Sequence, residues 1–227
     1  MTVRDNLQII GTKLDQFARQ YQRSASDIQL LAVSKRHSIT AIREAYEAGQ
    51  ILFGENYVQE LLDKAEQLSD LNIKWHFIGP VQSNKTKKIA AIADWIHTID
   101  RIKIAQRLND QRPDDLPRLN ICIQVNISKE VSKSGILPED VITFAKEIAN
   151  MPKLNLRGLM VIPAAESDLA KQRKAFAKTA KLVEELNQQG FKLDTLSMGM
   201  SGDMEAAIAE GATIVRIGTA IFGKREG

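Results

Sequence analysis

Short apolar runs rich in β-branched residues alternate along the chain with longer segments whose apolar residues recur at helical spacing. This alternation is typical of βα units that build a parallel sheet. Strands are predicted at Ile28–Val33, Ile51–Gly54, Lys74–Ile78, Trp95–Thr98, Leu119–Asn126, Leu154–Met160, Thr195–Met198 and Thr213–Ile217. Helices are predicted between them at Ile39–Ala48, Val58–Leu68, Asn84–Ala93, Ile102–Asn109, Pro138–Ile148, Leu169–Gln188 and Met204–Glu210. Another amphipathic helix occupies about the first 25 residues.

Eight βα units favour an α/β fold of the (β/α)8 TIM barrel type with an extra N-terminal helix. A doubly wound open sheet accommodates the same alternation. Gly49, Gly190 and Gly211 each follow a helical pattern, where a left-handed cap suits glycine, and Ser38 is a candidate N-cap. Because no Pro/Gly/Ser-rich linker divides the chain, we expect a single domain over residues 1–227.

Composition narrows the function classes. The formal charge of +3 suits an anionic small molecule better than nucleic acid. Cys122 is the only cysteine and lies in an apolar run, so we expect a buried, inert thiol and no disulfide. No secretory signal is visible, and no apolar stretch approaches the ~20 residues needed to cross a membrane. The expectation is a cytoplasmic monomer.

Lys35 follows the first predicted strand directly, in the segment AVSK. In a TIM barrel the ligand site lies at the carboxyl ends of the strands. Partial desolvation there lowers the pKa of a lysine, so that its amine can condense with a carbonyl compound. A rim lysine in a salt bridge is an equally good interpretation of this position alone.

The last two βα loops predict an anion site. Ser201 lies in SMGMSGD directly before a helix, and Gly218 and Thr219 follow the final strand. Barrels often bind phosphate with these loops, although small residues also occur in ordinary turns. Arg216 lies two residues before Gly218 and therefore faces the same side of the strand. A buried arginine needs an acceptor, and a pyridine nitrogen or a neighbouring carboxylate would serve.

The segments AVSK, FGENYVQE, WHFIGPVQSNK, QVNIS, SKSG, GLMVIPA, SMGMS and VRIGTAIFG occur in this order between residues 30 and 223. Together they resemble the pyridoxal-phosphate homeostasis protein family, whose fold is similar to the barrel domain of alanine racemase. The resemblance implies that Lys35 holds pyridoxal 5'-phosphate as a Schiff base. It implies further that Ser201, Gly218 and Thr219 hold the phosphate, that Arg216 approaches the pyridine nitrogen, and that Asn56 lines the ring.

The resemblance also implies a regulator of intracellular cofactor supply without a demonstrated reaction. The leading hypothesis is a carrier that holds pyridoxal phosphate reversibly and releases it to apo-enzymes or buffers its free aldehyde. The chain ends at Gly227, so we expect no second domain such as racemases use to complete their site. A pyridoxal-phosphate-dependent amino-acid racemase or lyase is the alternative, with Tyr57 or His76 as the second acid or base. One departure from the family pattern is Gly202, where aspartate is usual; we expect a looser helix start there.

Three further features have plain structural explanations. His76 is expected to be a hydrogen-bonded interior residue, since three widely spaced histidines do not predict a metal site. Lys85, Lys87 and Lys88 are expected to form a solvated helix face, with a docking surface or a second phosphate site as the other interpretation. Lys133 is expected to be a surface charge rather than a phosphate ligand. Met198 and Met200 are expected to fill space around the site.

Overall fold

The structure is a computed structural model that describes residues 1–223, so the last four residues of the predicted domain lie outside the described part. Eight parallel strands close into a barrel in chain order, which confirms the predicted fold class. The pairing of Leu30 in β1 with Val215 in β8 belongs to the seam that closes the barrel. The strands are β1 (Gln29–Val33), β2 (Leu52–Glu55), β3 (Lys74–Phe77), β4 (Trp95–Ile99), β5 (Leu119–Val125), β6 (Leu154–Val161), β7 (Thr195–Ser197) and β8 (Ile214–Ile217).

Helices follow the strands and surround the barrel. They are α1 (Val3–Gln20), α2 (Ile39–Glu47), α3 (Val58–Gln67), α4 (Thr86–Ile92), α5 (Ile102–Gln111), α6 (Val141–Ala149), α7 (Leu169–Gln188), α8 (Met204–Ala209) and α9 (Thr219–Phe222). Short 3₁₀ turns at Ala25–Asp27 and Pro138–Asp140 precede β1 and α6. The extra N-terminal helix is confirmed but ends at Gln20, because the chain turns there and Gln22 adopts a positive φ of 56°. Within residues 1–223, no helix is long and apolar enough to cross a membrane.

The predicted helix-end signals are present in the structure. Gly49, Gly190 and Gly211 all have φ between 92° and 97°, a conformation that side chains with a Cβ rarely adopt. Ser38 caps α2, its hydroxyl accepting a hydrogen bond from the backbone N–H of Ala41 at 3.2 Å. These local signals mark the ends of α2, α7 and α8 and the start of α2.

Alternation along the strands divides the core into two regions. Phe53 and Trp75 are buried outside the barrel wall, with ring centroids 6.2 Å apart. Gly54 faces the interior, where a Cβ would lie 3.2 Å from Ile78 and 3.4 Å from Leu31. A residue two positions beyond an inward-facing residue such as Gly54 also points inward, and it lies at the rim where the strands end.

Candidate functional site

Lys35 lies at the mouth of the barrel, two residues beyond the buried Val33 of β1, and lines a cavity of about 340 Å³. All six residues that the sequence predicts for the site line this same cavity: Lys35, Asn56, Ser201, Arg216, Gly218 and Thr219. They come from the carboxyl ends of β1, β2 and β8 and from the loop after β7. The structure thus brings an amine, a guanidinium and two small-residue loops around one volume.

Apolar residues complete the wall of this cavity, and sequence reasoning did not single out most of them. Val33, Ile78 and Met160 are buried or half-buried, and Ile162 and Met200 are each about two-fifths exposed at the rim. Met198, by contrast, is fully buried in the core and does not line the cavity. A mostly apolar cavity with a few convergent polar groups is typical of a cofactor or small-molecule site.

Arg216 is 5% exposed and projects from β8 across the interior of the barrel. Its Nη1 donates to the carbonyl of Ser197 at 2.6 Å and to the Ser197 hydroxyl at 2.8 Å, and its Nη2 donates to the carbonyl of Val161 at 2.9 Å. No carboxylate forms an ion pair with Arg216 among residues 1–223. Burial lowers the pKa of the guanidinium to about 10, which still leaves it charged at neutral pH.

Asn56 is held by a close backbone contact with Gly79. A Cβ at Gly79 would lie 1.9 Å from the Asn56 carbonyl oxygen, so only glycine fits there. The side-chain oxygen Oδ1 of Asn56 is buried and has no hydrogen-bond partner in the described part of the chain. An unpartnered polar atom beside the cavity needs a donor, and a hydroxyl-bearing ring would supply one.

The loop after β7 and the end of β8 form the hydroxyl-rich side of the cavity. A Cβ at Gly202 would meet nothing within 4 Å, so the backbone here is open to a ligand. Asp203 does not cap α8 with its side chain; its carboxylate accepts a hydrogen bond from the Met200 N–H at 2.6 Å. Gly202 predicts a looser start of α8. The hydrogen bond from Met200 to Asp203 stabilises this turn and so compensates for the missing carboxylate at position 202.

A buried ionic cluster lies behind Lys35, on the outer side of the barrel wall. The Nζ of Lys64 is 2.8 Å from Glu55 Oε1, from Glu60 Oε2 and from the carbonyl oxygen of Ser34. The hydroxyl of Ser34 also donates to Glu55 Oε1 at 2.6 Å. The bonds to Ser34 and Glu55 attach the cluster to the site, since Ser34 precedes Lys35 and Glu55 precedes Asn56.

The same cluster also braces the turn after Lys35. Arg36 has a positive φ of 60°, and its N–H donates to Glu60 Oε2 at 2.7 Å. Burial raises the pKa of Glu55 to about 7, against the opposing effect of Lys64. Sequence spacing gave only a weak signal for this cluster: Glu60 and Lys64 form an i,i+4 pair that is typical of an exposed helix face.

The two candidate acid–base residues of the enzyme alternative do not line the Lys35 cavity. His76 is fully buried inside the barrel, as expected, with Nδ1 2.9 Å from His97 Nε2. Burial lowers the pKa of His76 to about 3. Tyr57 is 45% exposed, and its hydroxyl accepts a hydrogen bond from Arg36 at 3.3 Å.

The other lysines that the sequence singled out, Lys85, Lys87, Lys88 and Lys133, do not line this cavity. Lys85 and Lys88 line a neighbouring cavity of about 460 Å³, together with Tyr57 and Gln82. Lys133 forms an ion pair with Glu130 at 3.3 Å. It borders a third cavity of about 550 Å³ between the loops after β5 and β6 and helix α7.

Comparisons with known proteins give one consistent result. Residues 12–226 match the family described as alanine racemase, N-terminal domain. A pyridoxal phosphate homeostasis protein of Pseudomonas aeruginosa is 52% identical over 225 residues, which cover 99% of this chain and 96% of that protein. PipY of Synechococcus elongatus, solved with pyridoxal phosphate bound, is 37% identical at a TM-score of 0.84, with 98% of this chain and all of that chain covered.

The likeness extends more distantly to complete racemases. The chain of an alanine racemase from Clostridium difficile is 14% identical at a TM-score of 0.77, and this chain covers 57% of it. At that identity the likeness concerns the fold alone. It agrees with the closed barrel described above.

Proposed function

Since the chain belongs to the family of pyridoxal phosphate homeostasis proteins, whose barrel is the alanine racemase N-terminal domain, we propose that it binds pyridoxal phosphate at Lys35 and regulates the supply of this cofactor. One observation carries the proposal: Lys35, the buried Arg216 and two hydroxyl-bearing loops surround a single cavity of about 340 Å³. When bound, the cofactor supplies an aldehyde that condenses reversibly with an amine, with loss of one water. Lys35 supplies that amine.

The remaining residues each match one part of the cofactor. Ser201 and Thr219 offer hydroxyl donors, and Gly218 exposes backbone, where a phosphate would lie. Asn56 carries the unpartnered Oδ1 beside the ring position. Arg216 carries a permanent charge toward the ring nitrogen, and a protonated guanidinium keeps a facing nitrogen unprotonated. An unprotonated ring withdraws electrons poorly, which favours holding the cofactor over carbanion chemistry.

Borohydride reduction of the cofactor-loaded protein, followed by peptide mapping, tests the anchor. Trypsin does not cleave after a modified lysine, so we expect the labelled peptide to span residues 24–36, in which Lys35 is the only lysine. Lys35→Ala should remove the label, and Lys133→Ala should leave it unchanged. A label on Lys85 or Lys133, with none on Lys35, would overturn the assignment.

The regulatory part of the proposal is separable from binding. We propose a cytoplasmic monomer that exchanges its cofactor with apo-enzymes, supported by an open rim at which Met200 and Ile162 are each about two-fifths exposed. Incubation of the loaded protein with amino acids in deuterated water distinguishes this role from racemase or lyase catalysis. Exchange of the α-hydrogen at an enzyme-like rate, abolished in Lys35→Ala, would refute the carrier role. Sedimentation of the loaded protein would test the monomer.

A further inference from the structure

Four buried polar side chains form a hydrogen-bonded row across the inside of the barrel. The row runs from Arg216 in β8 to Ser197 in β7, then to His97 in β4 and His76 in β3. Successive distances are 2.8 Å from Arg216 Nη1 to Ser197 Oγ, 2.7 Å from that oxygen to His97 Nδ1, and 2.9 Å from His97 Nε2 to His76 Nδ1. Only Arg216 lines the Lys35 cavity; the other three lie behind it.

The chemistry of the row favours one direction for every hydrogen bond. A guanidinium has only donors, so the Ser197 hydroxyl must accept from Arg216. His97 Nδ1 is the acceptor that the row offers to the single hydroxyl proton of Ser197, so we assign it as the unprotonated nitrogen. His97 therefore carries its proton on Nε2 and donates it to His76 Nδ1. His76 in turn carries its proton on Nε2, an atom with no partner in the described residues.

The opposite arrangement has a higher energy. If His97 carried its proton on Nδ1, both it and Arg216 would donate to Ser197, and the buried hydroxyl proton would have no acceptor in the row. His76 Nε2 would also remain unpartnered, so two buried polar groups would lack partners instead of one, and each costs about 1–3 kcal/mol. Burial, with His76 and Arg216 nearby, also lowers the pKa of His97 well below its usual range, so the ring stays neutral.

We propose that Ser197 and His97 are positioning residues that hold Arg216 against the ring-nitrogen position of the cofactor, and that both buried histidines are neutral with the proton on Nε2. Three of the five N–H donors of Arg216 are engaged by Ser197 and Val161. The other donors are left for a ligand in the cavity that Arg216 lines. The cofactor part of this inference rests on the proposed function, whereas the proton positions do not.

Long-range ¹H–¹⁵N correlation spectra of the cofactor-free protein, labelled at histidine nitrogens, test the proton positions. The protein has three histidines, and His37→Asn assigns the third signal. We expect His97 and His76 both to show a protonated Nε2 and an unprotonated Nδ1 at neutral pH. A protonated Nδ1 on His97, or a doubly protonated ring, overturns the inference whether or not cofactor binds.

Ser197→Ala tests the positioning role in the loaded protein. We expect Lys35 still to be trapped by borohydride, the absorption band of the bound cofactor to shift, and its dissociation constant to rise about fivefold, the size of one net hydrogen bond. Ser197→Thr keeps the hydroxyl and should restore the band. Thr195 lies on the same strand as Ser197, and its hydroxyl donates to Asp194 rather than to the row, so Thr195→Val should change neither property.

The outcomes separate the two proposals. Trapping at Lys35 with an unchanged band and affinity in Ser197→Ala would refute the positioning role and leave the proposed function standing. Expected proton positions without any trapping at Lys35 would refute the proposed function and leave the hydrogen-bond direction standing. If Ser197→Ala does not fold, the spectra of the unaltered protein still decide the direction.

Discussion

Replacing Glu55 with glutamine tests the buried ionic cluster behind Lys35. Glu55 is fully buried; its Oε1 accepts from Lys64 at 2.8 Å and from Ser34 at 2.6 Å, and its Oε2 has no partner among the described residues. Glutamine has nearly the same shape and keeps one oxygen for Lys64 and Ser34. The substitution therefore removes the ionisation of Glu55 with little change in packing.

The structure gives both the sign and the size of the effect. Burial is the largest influence on Glu55 and raises its pKa from 4.5 to about 7. The folded state then binds a proton more tightly than the unfolded state. This stabilisation is complete below about pH 4.5 and is lost as the pH rises through 7. One unit of pKa difference corresponds to about 1.4 kcal/mol, so ionising Glu55 costs about 3 kcal/mol of folding free energy.

Urea unfolding of the cofactor-free protein at several pH values between about 5 and 8 measures this. The unaltered protein alone is not sufficient, because His76 acts in the opposite direction. Its folded pKa of about 3 means that stability falls as the pH drops below the ordinary value of 6.5. The difference between Glu55→Gln and the unaltered protein cancels the histidine contribution. We expect that difference to change by about 3 kcal/mol in favour of glutamine toward high pH.

Two outcomes would refute the reasoning about Glu55. A difference that is flat across this pH range would mean that Glu55 does not titrate there. A difference that favours glutamate increasingly at high pH would mean that Lys64 outweighs burial and lowers the pKa. Glu184→Gln, on the exposed face of α7, is the matched control and should show no trend.

Three further predictions follow from the packing. Gly158→Ala should destabilise the fold by more than about 3 kcal/mol, since its Cβ would lie 1.7 Å from the Thr195 carbonyl oxygen. Gly11 lies in the interior of α1 with open space around it, so Gly11→Ala should stabilise the fold by about 0.5–1 kcal/mol. Urea unfolding measures both changes. Lys64→Met should cost about 3–5 kcal/mol above pH 7 by leaving two carboxylates without their cation, and less at about pH 5. Cys122 is fully buried and burial raises its pKa to about 12, so a thiol reagent should label it only after unfolding.

Much of the fold could be predicted because its signals are local. Strands that are buried on both faces have continuous apolar sequences. Gly49, Gly190 and Gly211 predict helix ends because glycine tolerates the positive φ that the chain adopts there. Most boundaries differ from the prediction by a residue or two; β2, for example, begins at Leu52 rather than Ile51 and continues through Glu55. Two differ by more, since α1 ends at Gln20 rather than near residue 25, and α6 begins at Val141 rather than Pro138, which lies in a 3₁₀ turn. Glu55 extends the strand because its side chain is paired outside the barrel wall, which an apolar pattern does not indicate.

The grouping of the site residues could also be predicted, because the ends of parallel strands in a barrel converge on one rim. The supporting contacts could not. His97 and Ser197 are 100 positions apart and meet only because β4 and β7 face each other across the interior. In the sequence, Gly79 and Gly158 resemble ordinary turn or strand glycines. Only the structure shows that a Cβ at either position would lie within 2 Å of a backbone oxygen.

Arg216 joins the fold to the proposed function. A guanidinium in an interior is commonly balanced by a carboxylate, but the described partners of Arg216 are two carbonyl oxygens and a hydroxyl. These acceptors orient the group without neutralising it, and the neutral histidines behind Ser197 add no negative charge. Against the effect of burial, Asp203 raises the pKa of Arg216 and offsets part of its charge, but it forms no ion pair with the guanidinium within residues 1–223. Arg216 thus keeps a guanidinium with no directly paired carboxylate among the described residues, and its unused donors adjoin the cavity. That arrangement is costly for stability alone, and a ring nitrogen that accepts from Arg216 would offset the cost only while the cavity is occupied.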